Sequence, residues 1–181
     1  MQARVPAGSP KGGQFGKGGG SYNKVGKSLL KAASGAGPNA EVSVLTDLNG
    51  KELTPRTMGL EETVDTPSHP KLLDPTADLV HHHTHPFDTP FSQADVLSTA
   101  NRVGIKKAVV HTTKASYEME ILQHDRVWRE GRDVFSEVHI KEVDRVLDGG
   151  KRLSRQDRAR KMSTESLNRL QDLGMLNWRK M

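Results

Sequence analysis

The chain of 181 residues contains no cysteine. Disulfides and thiolate metal sites are therefore excluded, and any bound metal must be held by imidazoles and carboxylates. Aromatic residues make up 4% and hydrophobic residues 34% of the sequence, too little apolar surface for every segment to join a core. No apolar run reaches the ~20 residues that cross a bilayer, and Gly, Ser and Lys interrupt the N-terminus where a signal-peptide core would lie. No membrane contact is expected, and the lack of cysteine fits a cytoplasmic setting. Residues 1–40 also lack acids entirely, against six Lys and Arg. Residues 151–181 hold nine bases and three acids, whereas 41–150 hold twelve bases and nineteen acids. The net charge of +5 thus divides into basic ends around an acidic centre. If nucleic acid is a partner, the basic termini are where it would touch.

What is present falls into three stretches. Residues 1–38 are rich in Gly, Ser, Lys and Pro and read as a flexible basic arm, with a short helix from about Tyr22 to Ala33 carrying Val25, Leu29 and Leu30. Gly26-Lys27-Ser28 has the ending of a phosphate-binding loop, but Ser21 stands where that loop requires Gly. Residues 39–122 read as a small α+β unit. EVSVLTD from Glu41 alternates as a strand, Asn49-Gly50 signals a hairpin, and Lys51 to Leu53 begin the return strand. Four prolines mark 54–76 as loop; Ala77–His85 is the next strand, Ser92–Val103 a helix, and Ile105–Thr113 and Tyr117–Leu122 two more strands. Residues 123–181 read as a helical extension. One helix ends at Gly149-Gly150, and a second is capped by Ser154 with Met162, Leu167, Leu170, Leu173 and Leu176 on its apolar side.

The run HHHTHPFDTPFSQAD, His81 to Asp95, carries the chemistry. On a strand, alternation places His81, His83 and His85 on one face and His82 and Thr84 on the other. Pro86 and Pro90 forbid regular structure after it, and Ser92 is an N-cap with Asp95 in the first helical turn. Two imidazoles two residues apart on a strand, with a carboxylate on the next helix, can converge on one ion and leave a position for water. His111 lies in an apolar strand and reads as a core histidine; His124 and His139 belong to helices and His69 to a loop.

His83-Thr84-His85-Pro86 followed by Ser92-Gln93-Ala94-Asp95 resembles the HxHP…SxxD signature of JAMM/JAB (MPN-type) metalloproteases, here with a six-residue spacer where about seven is usual. Phe91-Ser92 and the Asp47-Leu48-Asn49-Gly50 hairpin bring it closer to a JAB-like variant of phage head-morphogenesis proteins and polymorphic toxins. The Gly-rich RVPAGSPKGGQF also resembles tails common in phage-encoded proteins. The resemblance implies a JAB-like mixed sheet over residues 39–122, and a zinc ion on His83, His85 and Asp95. Glu41 would be the general base, with Glu52, Glu61 and Glu62 as rivals, and Ser92 a donor to the oxyanion. It further implies hydrolysis of peptide or isopeptide bonds in a protein or peptide substrate, with a phage structural protein as a partner and a virion-associated location as an alternative. Two other readings remain. One is a metal-dependent nuclease or toxin effector using the basic ends; the other is a noncatalytic phage interaction module.

Overall fold

The computed structural model describes residues 19–59 and 63–181. It is α+β, as the sequence pattern predicted: a six-stranded mixed sheet with helices on both faces. Strands β1 (Glu41–Thr46), β2 (Thr57–Gly59), β3 (Leu79–Thr84), β4 (Ile105–His111), β5 (Ser116–Ile121) and β6 (Leu176–Lys180) lie in the order β2-β1-β3-β4-β5-β6. Only β3 and β4 run parallel, because the helix between them, α2 (Gln93–Ala100), carries the chain back across the sheet. All other neighbours are antiparallel.

Helix α1 (Gly19–Ala36) covers one face. Its Val25, Leu29 and Ala33 pack on Val42 and Val44, and Tyr22 packs on Val80 and Val109. Helices α3 (His124–Leu147) and α4 (Arg155–Asp172) lie with α2 on the other face. There Phe91, Val96, Ala108, Val110, Met119, Val127, Leu167 and Leu170 form the largest apolar cluster. The sheet is therefore buried on both sides, which is why β1 and β3 are buried at every position despite their polar residues.

Three sequence expectations are corrected. The arm expected over residues 1–38 overlaps α1, whose apolar spacing buries a full stripe on the sheet; the arm's residues 1–18, like Glu61 and Glu62, lie outside the described residues. The return strand expected at Lys51–Leu53 is reduced to a single bridge, Thr46 with Glu52. The Asp47 carboxylate accepts from the amides of Asn49 and Lys51 at 2.8 and 2.9 Å, making a wider turn in which Gly50 takes φ +81°. Pro55 then delays pairing until β2, inside the segment expected to be loop. Finally, the last helix does not continue through Leu176. Gly174, at φ +68°, ends it, and residues 176–180 become an edge strand paired with β5.

Candidate metal centre

Strand β3 and helix α2 build the site together. The β3 register sets His83 opposite Ser43 of β1 and Val110 of β4, so its side chain points to the α2–α4 face with His81. The chain then leaves the sheet at His85, and Pro86 to Phe91 fold back to start α2. Ser92 caps that helix in a reciprocal box: its backbone N–H and its hydroxyl both donate to Asp95 Oδ2 at 2.7 Å, and Asp95 N–H donates to Ser92 Oγ at 3.2 Å. The capping geometry that starts the helix is thus also what aims the carboxylate.

Three donors meet. His83 Nε2 lies 3.2 Å from Asp95 Oδ1, His85 Nε2 3.3 Å from Asp95 Oδ2, and the two Nε2 atoms 3.2 Å apart. Tetrahedral ligands at ~2.0–2.1 Å from an ion sit roughly 3.3 Å from one another. The 3.2 Å between the two imidazole nitrogens matches that requirement, each nitrogen faces one oxygen of the Asp95 carboxylate, and this His-His-Asp triad can hold a metal ion. His85 Nδ1 faces the Thr89 carbonyl and hydroxyl, each at 3.1 Å. The carbonyl can only accept, so Nδ1 carries the proton and Nε2 keeps its lone pair toward the triad, the usual way a ligand histidine is oriented. His83 is held differently: its Nδ1 has no hydrogen-bond partner among the described residues, and the ring is wedged between stacked His81 and Phe91.

Burial alone pushes His85 down, but its hydrogen bond to Asp95, the Asp95 and Glu41 charges and the Thr89 carbonyl together raise its pKa. Burial likewise works against ionising Asp95, and the two histidines overcome it, holding the carboxyl well below its ordinary value. The same contacts that favour a proton on His85 are those an ion would use, so an ion entering the site competes with a proton. His81 shares the face but is not in the converging set; burial and the neighbouring His83 push it down to about 3, leaving it neutral.

Glu41, the first residue of β1, is buried and lines the same cleft as His85, Ser92 and Asp95. The sequence therefore brought His83, His85, Asp95, Ser92 and Glu41 to one place. The rival Glu52 instead pairs with Arg56 in the turn after β1. The sequence did not reveal Thr89, whose contribution is chiefly a backbone carbonyl, or the wall formed by Arg155, Gln156 and Ala159 of α4. Of the remaining histidines, His111 is a satisfied core residue, His124 bonds the Ala100 carbonyl at 2.9 Å, and His69 Nδ1 accepts from Lys71 N–H.

The loop between His85 and Ser92 is pinned from behind. Asp88 accepts from Thr112 Oγ1 at 3.0 Å and from the Tyr117 hydroxyl at 3.1 Å, tying it to the end of β4 and to β5. Comparison of the chain with protein-family models, curated proteins and solved structures gives no match. Among the described residues no helix is long and apolar enough to cross a membrane.

Proposed function

We propose that the chain is a zinc-dependent hydrolase of peptide or isopeptide bonds, as its resemblance to JAB-like metalloproteases implies. One observation carries this reading: two imidazole nitrogens 3.2 Å apart each face an oxygen of the Asp95 carboxylate, at 3.2 and 3.3 Å, at the edge of a cleft that also contains a buried glutamate. His83, His85 and Asp95 would hold the ion. Bound there, zinc supplies Lewis acidity and a water whose pKa falls toward ~7. Glu41 takes a proton from water in the cleft and later delivers it to the nitrogen of the departing amine. Ser92 first positions Asp95, since its hydroxyl proton is directed at Oδ2; turned toward the cleft it lines, the same hydroxyl donates to a developing oxyanion.

The reading is tested with protein stripped of metal and resupplied with zinc, assayed on a mixed fluorogenic peptide library and on isopeptide-linked lysine dipeptides. Glu41→Gln is expected to retain zinc and lose hydrolysis. Wild-type protein that takes up no zinc, or a Glu41→Gln variant as active as wild type, would falsify it.

A further inference from the structure

The cleft at the triad does not end at helix α4. Two of its walls, Ser92 and Ala159, also wall a second cavity of about 520 Å³, which Phe135 and Ile140 of α3 line as well. His139 and Met162 in turn belong both to that cavity and to a third, of about 490 Å³. The three are stations on one groove, which leaves the cleft of Glu41 and Asp95 and follows α3 as far as Leu147. From Phe135 to Leu147 is roughly 18 Å of helix, the reach of about five residues of extended chain.

The groove exists because α4 is anchored by its second half. Ser166, Leu167 and Leu170 are buried, whereas residues 155–160 are all exposed and Met162 and Ser163 half-buried. Along it, Ile140, Val143 and Leu147 are 57%, 43% and 78% exposed. Their spacing puts them on one face of α3, and exposed apolar residues grouped in this way mark a binding surface. The far end is positive. Glu142, the only acid among the described residues lining the third cavity, is already neutralised by Arg145 and Lys161 at 2.7 and 2.8 Å. Arg152 and Arg158 line the same cavity, are exposed, and have no side-chain hydrogen bond or ion pair among the described residues. A nucleic acid is held by a track of several phosphate contacts. An apolar run that ends at two cations instead complements a polypeptide segment with apolar residues and a carboxylate.

We infer that this groove docks an extended segment of the substrate polypeptide. Apolar residues of that segment lie against Ile140, Val143 and Leu147, and an Asp or Glu side chain lies at the Arg152–Arg158 end. This rests on the hydrolase reading only for calling the segment substrate; the docking itself is a binding property.

The test measures binding by fluorescence anisotropy, using zinc-supplemented Glu41→Gln protein so that turnover does not consume the probe. The probes are labelled octapeptides that alternate Leu with Glu, Leu with Gln, or Ser with Glu, beside a labelled oligothymidylate. The Leu-Glu peptide is expected to bind about tenfold more tightly than either other peptide, since each of those lacks one kind of contact. Arg152→Gln with Arg158→Gln should erase its advantage over Leu-Gln. Val143→Ser with Leu147→Ser should erase its advantage over Ser-Glu. All four positions are exposed, so the variants should keep wild-type circular dichroism and zinc uptake. If a variant does lose its fold, the three peptides compared on the unsubstituted groove still decide. Equal binding of the three, ratios unchanged in the variants, or oligothymidylate outbinding every peptide through the two arginines overturns the inference. So does a wild-type dimer that becomes monomeric with Val143→Ser and Leu147→Ser, because a second copy then fills the groove. Cleavage of the same peptides by wild-type protein is scored separately. Docking preference without cleavage keeps this inference and removes the hydrolase reading; cleavage without preference does the reverse.

Discussion

The two faces of β3 carry the same residue type into opposite roles. On the α2 side, His83 and His85 face a carboxylate at the edge of an open cleft. On the α1 side, His82 meets His111 in a sealed stack, rings 5.3 Å apart and nearly parallel, under the edge of Tyr22. Every proton in the second group can be placed. Thr46 donates to the Asp47 carbonyl, so it accepts from His82 Nε2; His82 Nδ1 then accepts from His111 Nε2, and His111 Nδ1 from Ser116. All ring nitrogens are spent internally and neither ring needs a charge. Burial, and each ring's nearby imidazoles, hold His82 well below its usual pKa and His111 at about 4. A histidine becomes a candidate ligand here because its Nε2 faces a carboxylate beside an opening and is not spent on the sealed relay, and alternation along one strand separates the two cases.

The strongest way to break the comparison is to remove the carboxylate. Asp95→Ala should weaken zinc binding by more than ~100-fold, since even losing a group that merely orients a ligand costs 10–100-fold. The α1-side pair should be untouched by it. Calorimetric titration with zinc checks this; uptake equal to wild type would mean that the triad is not the site.

Acid tests the other face. His111 has a folded pKa of about 4, against ~6.5 unfolded. Above that upper value both states are neutral and the group contributes nothing. Between the two values the unfolded chain binds a proton that the folded chain refuses, so stability falls as pH drops, by up to ~1.4 kcal/mol per pH unit for each such histidine. His111 alone should cost about 2 kcal/mol between pH 7 and 5, and His81 and His82 add in the same direction. His85 behaves oppositely: with its pKa raised, its contribution is complete below ~6.5 and is lost as pH rises through the folded value. Urea midpoints at several pH values read the balance, and a midpoint flat from pH 7 to 5 would contradict neutral burial on the α1 side.

Much of the metal face was legible because its signals are local. HxH alternation, a proline exit and a cap with an acid three residues on are sequence-near features, and each corresponds to one physical requirement. Glu41 was legible less directly, through strand order, because only the pairing of β1 with β3 brings residues 42 apart to one cleft. The rest depended on distance. Nothing in the sequence around Arg155 records that α4 folds over the cleft, since that follows from Leu167 and Leu170 packing into the large core and from β6 pairing with β5. Strand β6 was hidden because Leu176 and Trp178 continue a helical spacing that Gly174 ends. Gly26, in sequence only the start of an incomplete phosphate-loop ending, is where α1 approaches His111.

That approach gives a smaller test. A Cβ added at Gly26 would collide with the His111 ring, with Cε1 at 2.6 Å and Cγ at 2.8 Å, and the ring is pinned by two hydrogen bonds. Replacing a helical Gly by Ala ordinarily gains about 1 kcal/mol, whereas overpacking costs ~1–3 kcal/mol. Gly26→Ala should therefore lower stability by about 1 kcal/mol and leave zinc binding as in wild type. A rise in melting temperature would show that α1 does not clamp the relay.

The smallest effect expected is that of Thr89→Ala, and it separates backbone from side chain in the orientation of His85. Both the carbonyl and the hydroxyl of Thr89 lie 3.1 Å from His85 Nδ1. Only the carbonyl is obliged to accept, and it survives the substitution. Its position is set by the 86–91 loop, which Asp88 anchors to Thr112 and Tyr117. Removing the hydroxyl should therefore weaken zinc binding by less than ~10-fold, the lower edge of what losing an orienting partner costs. Asp88→Asn, which weakens the anchor while leaving Thr89 intact, should cost at least as much, because it frees the carbonyl itself to move. The two variants are compared by zinc titration at one pH. If Thr89→Ala proves the more damaging, the hydroxyl and not the backbone fixes the imidazole, and the ligand face of β3 depends on a side chain as directly as its buried face depends on Thr46 and Ser116.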